Sequence, residues 1–270
     1  MKYYYDTEFL EGTQTKSILG IPFGKTKPTI DLISIGITSE DNRELYLISK
    51  DFNLKEAWNR YDLKVQQVYG DARNIYPEGR EYKEYFIREN VLKPIFIELW
   101  ENEKGAKLTN ADFNSGIFNY KHLKSLINKY GKTNKQIADE VITFVTGSDK
   151  INEGYGDYWS NPCFHDISLY GYYSAYDHVT LCWLFGKMID LPKGFPMYTR
   201  DLKQMLDEKV EVLKLNRFGL LYERSREHDS PINIERLSIE EFYDYPKETN
   251  SHHSLSDAKW NKALYDFLNN

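Results

Sequence analysis

The chain has 270 residues, 41% hydrophobic, 15% aromatic and 28% charged, which excludes a disordered polymer and supplies enough apolar side chain for a sizeable core. A net charge of −6 excludes a protein that holds nucleic acid mainly by a broad basic surface, yet allows an enzyme that grips a few nucleotides through carboxylate-bound metal ions. Two cysteines are too few for a disulfide scaffold or a thiolate zinc site. No apolar run is long enough to span a bilayer, and the N-terminal residues lack a signal-peptide pattern, so no membrane partner and a cytoplasmic location are expected.

Residues 3–10 predict a strand, because aromatics crowd them and no breaker interrupts. Residues 11–28, with Gly12, Gly20, Pro22, Gly24 and Pro28, predict a long loop or irregular hairpin. Strands follow at 30–38 and 44–49, joined by a turn at Asp41-Asn42, so the sheet opens as an antiparallel meander. The 3.6-residue period of residues 82–101 predicts a helix that Pro94 kinks or splits. Helices are predicted at 120–130 and 134–146, the second capped by Asn134. Residues 147–163 read as a loop, 166–174 as a strand, and 176–188 and 200–209 as helices. Residues 211–250 read as a charged surface excursion, and 254–268 as the last helix. Strands first, then helices alternating with strands, predict one α/β domain around a mixed sheet.

Three sets of carboxylates stand out. Asp and Glu are depleted in strands, yet Asp6 and Glu8 lie inside the first one, two apart and therefore on one face. An edge strand with a solvated face explains them, and so does a Mg²⁺ or Mn²⁺ site that offsets their repulsion. Asp177 opens the helix after the strand 166–174, where it complements the helix dipole. Ser254 and Asp257 fit a capping box for the last helix, which leaves His252 and His253 unexplained.

The order is D-x-E on the first strand, Asp at a strand-to-helix junction, then His252 five residues before Asp257 at the last helix. It resembles the histidine-containing branch (DEDDh) of the DEDD superfamily of 3′–5′ exonucleases. Residues 5–11 (YDTEFLE), 30–37 (IDLISIGI), 174–181 (SAYDHVTL), 201–204 (DLKQ) and 252–258 (HHSLSDA) look closest to bacterial and phage exoribonucleases of the mycobacterial poly-adenylate-specific type. The resemblance is thin over 52–80, 100–165 and 211–250.

It implies an α/β, ribonuclease H-like fold: a mixed β-sheet flanked by α-helices, in a single domain over 1–270, with a loop at 11–28 and insertions at about 147–163 and 211–250. It implies two Mg²⁺ or Mn²⁺ ions held by Asp6, Glu8, Asp177 and Asp257, with His252 as general base and His253 its neighbour. Thr7, Phe9 and Leu10 would meet the terminal nucleotide, with Phe9 or Leu10 wedged against its base. Tyr172, Tyr173 and Tyr176 could stack bases, although packing is the simpler role for most of them. The expected activity is removal of nucleoside monophosphates from the 3′ end of single-stranded RNA, and a homodimer is plausible. DNA is the alternative substrate, and a non-catalytic nucleic-acid-binding protein is the alternative of another class.

Overall fold

The computed structural model describes residues 1–18, 21–66, 80–147, 167–210 and 245–269. Most of the expected insertions at 147–163 and 211–250 lie outside the described residues. The elements run β1 (Lys2–Gly12), β2 (Thr15–Ile18), β3 (Ile21–Lys25), β4 (Thr29–Ser39), β5 (Glu44–Ile48), α1 (Leu54–Asn59), β6 (Asp62–Gln66) and β7 (Arg80–Glu84). A π-helical turn (Ile87–Leu92), α2 (Lys93–Lys104), α3 (Asn110–Asn114), α4 (Tyr120–Tyr130) and α5 (Asn134–Thr146) follow. Then come β8 (Ser168–Gly171), α6 (Ala175–Phe185), a 3₁₀ turn (Met188–Asp190), β9 (Arg200–Asp201), α7 (residues 202–210) and α8 (Ser254–Asn269).

Five strands form one sheet in the order β5-β4-β1-β8-β9, while β2–β3 and β6–β7 are separate two-stranded ribbons. β1 pairs parallel with β8, and β8 with β9. This is a mixed α/β architecture, a mixed central sheet with flanking helices, consistent with the ribonuclease H-like expectation. No helix among the described residues is long and apolar enough to cross a membrane.

The chain divides into two compact units, Met1–Thr7, Ile35–Tyr46 and Lys135–Asn270 in the first, and Glu8–Ser34 and Leu47–Asn134 in the second. In the first, Tyr4, Tyr170, Leu202, Leu206, Trp260 and Leu264 form a buried apolar cluster. The three consecutive tyrosines of β1 are all buried, so the strand is covered on both faces. Their hydroxyls or rings find partners: Tyr3 donates to Val145 O at 2.7 Å, Tyr5 meets Thr199 Oγ1 at 2.6 Å, and Tyr4 stacks on Tyr170 at 5.4 Å. In the second unit Leu10, Ile33, Leu92, Phe96 and Leu123 are fully buried.

Several local expectations change. β1 lies between β4 and β8, but its pairing with β8 stops at Tyr4, so Asp6 and Glu8 sit on a stretch that the β8 ladder does not reach, and both are half-buried. Residues 82–84 belong to β7, and helix begins only after them. Pro94 sits in the first turn of α2 and the turn before it is π-helical, so the helical run changes type next to the proline, as a kink or split there predicts. Asn134 is the first residue of α5 and not its cap. Its N–H donates to Asp51 Oδ2 at 2.7 Å, and its side chain accepts from Ser49 Oγ at 2.7 Å.

The last helix lies directly on β4. A Cβ at Gly36 would come closer than 3.0 Å to the backbone of Ser254 and Leu255. Farther along α8, Asn261 Nδ2 donates to Tyr5 O at 3.0 Å, and Lys262 Nζ donates to Ser39 O at 3.0 Å and Glu40 O at 3.1 Å. Gly36→Ala must therefore push backbone from backbone. We expect a loss of about 1–3 kcal/mol, the usual range for overpacking, measured by urea denaturation. Wild-type stability in that variant would mean that α8 can lift off β4 freely.

Candidate active site

The site grows from the C-terminal half of β1. Pairing of β1 with β8 covers Lys2, Tyr3 and Tyr4 only, while β1 continues to Gly12. Asp6 and Glu8 project from that continuation, and both are half-buried. Asp257 arrives on the first turn of α8. One carboxylate oxygen each from Asp6, Glu8 and Asp257 lie within 4.8 Å of one another. Helical spacing explains how α8 delivers Asp257: Asn261 is four residues on, hence on the same face, and it is tied to Tyr5 O.

Asp177 falls between Glu8 and Asp257 in chain order and bonds to the strand that carries Asp6 and Glu8. It lies in the first turn of α6 and is buried. Its Oδ1 accepts from Thr7 N at 2.9 Å and from Thr7 Oγ1 at 2.6 Å. The carboxylate thus engages the residue between Asp6 and Glu8. Burial pushes the Asp177 pKa up to about 6, against the pull of the two Thr7 hydrogen bonds, and the charge of Asp201 adds to the rise. Burial likewise raises Asp257 to about 6, while the backbone N–H groups of His252 and His253 oppose it and Glu248 reinforces it.

The two histidines occupy different environments. His253 precedes α8, its ring stacks on Tyr46 at 4.5 Å, and its Nδ1 accepts from Ser256 N at 3.4 Å. His252 is exposed and adopts a left-handed backbone with φ 65°. Ser254, the expected cap, is instead the first residue of α8 and fully buried.

The expected substrate contacts separate as well. Phe9 lines a cavity of about 430 Å³ together with Glu8, Arg60, Tyr61 and Phe86. Leu10 is fully buried in the core, so it cannot wedge against a base. Thr7 spends its N–H and hydroxyl on Asp177. Tyr172 packs edge-on against Trp260 at 5.0 Å, whereas Tyr173 and Tyr176 are exposed.

Residue-type reasoning missed Asn261 and Tyr46 and assigned Thr7 only to the substrate. Thr7 acts as the hydrogen-bond partner of Asp177, Asn261 anchors α8, and Tyr46 supports His253. Only Asn261 left a signal, a polar residue inside an otherwise packed helix face four positions after Asp257.

Chemically, three crowded carboxylates suit a hard divalent cation, which takes oxygen ligands and cancels their mutual repulsion. Fold and trio together define a carboxylate site able to hold metal at the end of a central strand. The comparisons narrow the class. The chain is 25% identical over 211 residues to a protein named 3′–5′ exoribonuclease from Mycobacterium tuberculosis, covering 77% of this chain and 76% of that one. A second strain of the same organism carries a protein of the same name with the same identity and coverage. No protein-family profile matches the chain. These likenesses support an enzyme of the 3′–5′ exonuclease class.

The raised carboxyl of Asp177 has a thermal consequence with a definite sign. A folded-state pKa above the unfolded value stabilises the fold at low pH, and that contribution is lost as pH rises from about 4 through about 6. Asp177→Asn keeps an oxygen to accept from Thr7 and removes the buried charge. In EDTA at pH 8 this variant should melt several degrees above wild type, since a chain of this size gains roughly 2–4 °C per kcal/mol. At pH 4 the two should coincide. A lower melting temperature at pH 8 would mean that the Thr7 hydrogen bonds favour the charged carboxylate by more than burial opposes it.

Proposed function

We propose that the protein is a metal-dependent 3′–5′ exoribonuclease of the histidine-containing DEDD type. It would remove nucleoside monophosphates from the 3′ end of single-stranded RNA. The observation that carries this reading is the convergence of Asp6, Glu8 and Asp257 on one point at the end of β1. The exoribonuclease name of the mycobacterial relatives supports RNA as the substrate.

In this reading Asp6, Glu8 and Asp257 would hold divalent metal, two Mg²⁺ or Mn²⁺ ions in all, with Asp177 as the fourth carboxylate of the set. Bound metal supplies charge that stabilises the phosphorane-like transition state and the departing 3′-oxygen. The chain's own groups do the rest. His252 accepts the proton of the attacking water, the role an imidazole fills as a general base. Its exposure fits a group that meets water and substrate directly. His253 keeps Tyr46 and the start of α8 in place, which orients Asp257. Phe9 presents its ring to the terminal base from the cavity beside Glu8.

Two measurements test this. Incubation with 3′-end-intact RNA and DNA oligomers, in Mn²⁺ and in EDTA, should give stepwise shortening of RNA in metal only. Shortening of DNA with RNA untouched would replace the substrate, and no shortening of either would overturn the reading. Separately, Mn²⁺ should raise the melting temperature by binding linkage. Asp6→Asn should lose most of that rise. His252→Ala should keep it while turnover falls by roughly 10²–10⁴-fold, the usual worth of a general base. Loss of activity in His253→Ala with His252→Ala still active would move the base by one residue.

A further inference from the structure

The β2–β3 ribbon is anchored at its base and open along its length. Gln14 is buried, and its backbone exchanges hydrogen bonds with Thr26: Gln14 N donates to Thr26 Oγ1 at 2.9 Å, and Thr26 N donates to Gln14 O at 2.8 Å. Its side chain donates to Thr29 Oγ1 at 3.1 Å and to Asp31. Thr15 N donates to Glu56 on α1 at 3.3 Å. Beyond this base the ribbon shows large apolar side chains to solvent: Ile18 is 62% exposed, Ile21 70% and Phe23 60%. Ile18 pairs with Ile21 on one face, a bulge sets Phe23 apart as the unpaired extra residue, and Lys25, paired with Thr15, falls on the other face. A two-stranded ribbon is marginally stable alone, and three bare apolar side chains along it ask for a partner.

Charge says which partner. From Gly12 to Ile30 the chain carries Lys16, Lys25 and Lys27 and no acidic residue, although its net charge is −6. Cavities give the continuity. The cavity of about 430 Å³ beside Glu8 and Phe9 adjoins one of about 560 Å³ lined by Thr15, Lys25 and Asn59, and both are lined by Arg60, Tyr61 and Asp62. Arg60 is held in place by bonds to the carbonyls of Glu11 and Thr13, the latter at 2.8 Å, and to Glu56 at 3.2 Å. The inner cavity is rich in carboxylates, with Glu11, Asp62 and Glu84 on its wall, and repels phosphate. Its aromatic groups suit a base. The outer cavity sets Lys25 and Arg60 beside Glu56 and Asp62, with Arg60 paired to Glu56, so its net positive pull comes from the ribbon lysines around it.

We propose that the β2–β3 ribbon, with exposed Phe23 at its bulge and Lys16, Lys25 and Lys27 around it, binds the single strand upstream of the 3′ end, an inference that rests on the exonuclease reading above. Phe23 stacks a base, and Lys16, Lys25 and Lys27 neutralise phosphates. Single-stranded RNA brings both features, π faces and one negative charge per nucleotide, whereas a second copy of this acidic chain brings neither together.

The test is binding without turnover. Fluorescence anisotropy in EDTA compares labelled single-stranded RNA of 12 and of 3 nucleotides. Phe23→Ala should weaken the 12-mer about 5- to 150-fold, the usual range for one stacked base, and leave the 3-mer unchanged. The triple variant Lys16→Gln, Lys25→Gln, Lys27→Gln should lower the slope of log affinity against log salt by roughly 2, at about 0.7 per phosphate. These side chains are exposed, so both variants should melt like wild type. Wild-type affinity and salt slope in both variants would overturn the proposal. So would a wild-type dimer that Phe23→Ala turns into a monomer with RNA affinity unchanged, because the partner is then a second copy. If wild type trims RNA while the variants bind normally, only the ribbon proposal fails. If wild type binds the 12-mer through the ribbon but never trims it, only the enzyme reading fails.

Discussion

No side chain fits between β4 and α8 at Gly36, and the position of Asp257 depends on that contact. With only a hydrogen at Gly36, the backbone of Ser254 and Leu255 rests on the strand. The helix then runs along the sheet with Asn261 bonded to Tyr5 and Lys262 to the turn after β4. Asp257, one helical turn before Asn261, reaches the oxygens of Asp6 and Glu8 because of this seating. A helix held a methyl group farther away would leave β1 with two carboxylates and no third.

Bringing these groups together is electrostatically unfavourable without a cation. Asp177 and Asp257 both have pKa values raised to about 6, chiefly by burial. The fold tolerates this through backbone and hydroxyl donors. Thr7 gives Asp177 two hydrogen bonds, and the N–H groups ahead of α8 serve Asp257. Hydrogen bonds of this kind keep a carboxylate partly satisfied while leaving oxygen lone pairs for another ligand. The same donors tie Asp177 to β1, since both bonds come from the residue between Asp6 and Glu8.

Much of the site was legible because its signals are local. Two carboxylates at i and i+2 share a strand face wherever the strand goes, so Asp6 and Glu8 could be paired from the chain alone. Other features were illegible because they join residues far apart. The bond between Thr7 and Asp177 spans 170 positions and that between Tyr5 and Asn261 spans 256. Leu10 and Phe9 look interchangeable in sequence, yet strand pleating sends Leu10 into the core and Phe9 to a cavity. Asn134 reads as a cap, but Asp51 accepts the first N–H of α5 from another loop.

The sequence by itself determined the α/β class, most element positions, and the pairing of Asp6 with Glu8, since all follow from periodicity and neighbouring residues. It also marked 11–28 as a turn-rich loop or irregular hairpin. Tertiary structure decided that β1 is central and not an edge, and that Asp257 joins Asp6 and Glu8. It decided that Asp177 bonds to Thr7, and that the basic stretch stands out as a bare ribbon beside two adjoining cavities. The physical reason is range. Propensity and alternation act over a few residues, whereas strand order, close helix seating and carboxylate convergence depend on which distant surfaces pack without a side chain between them.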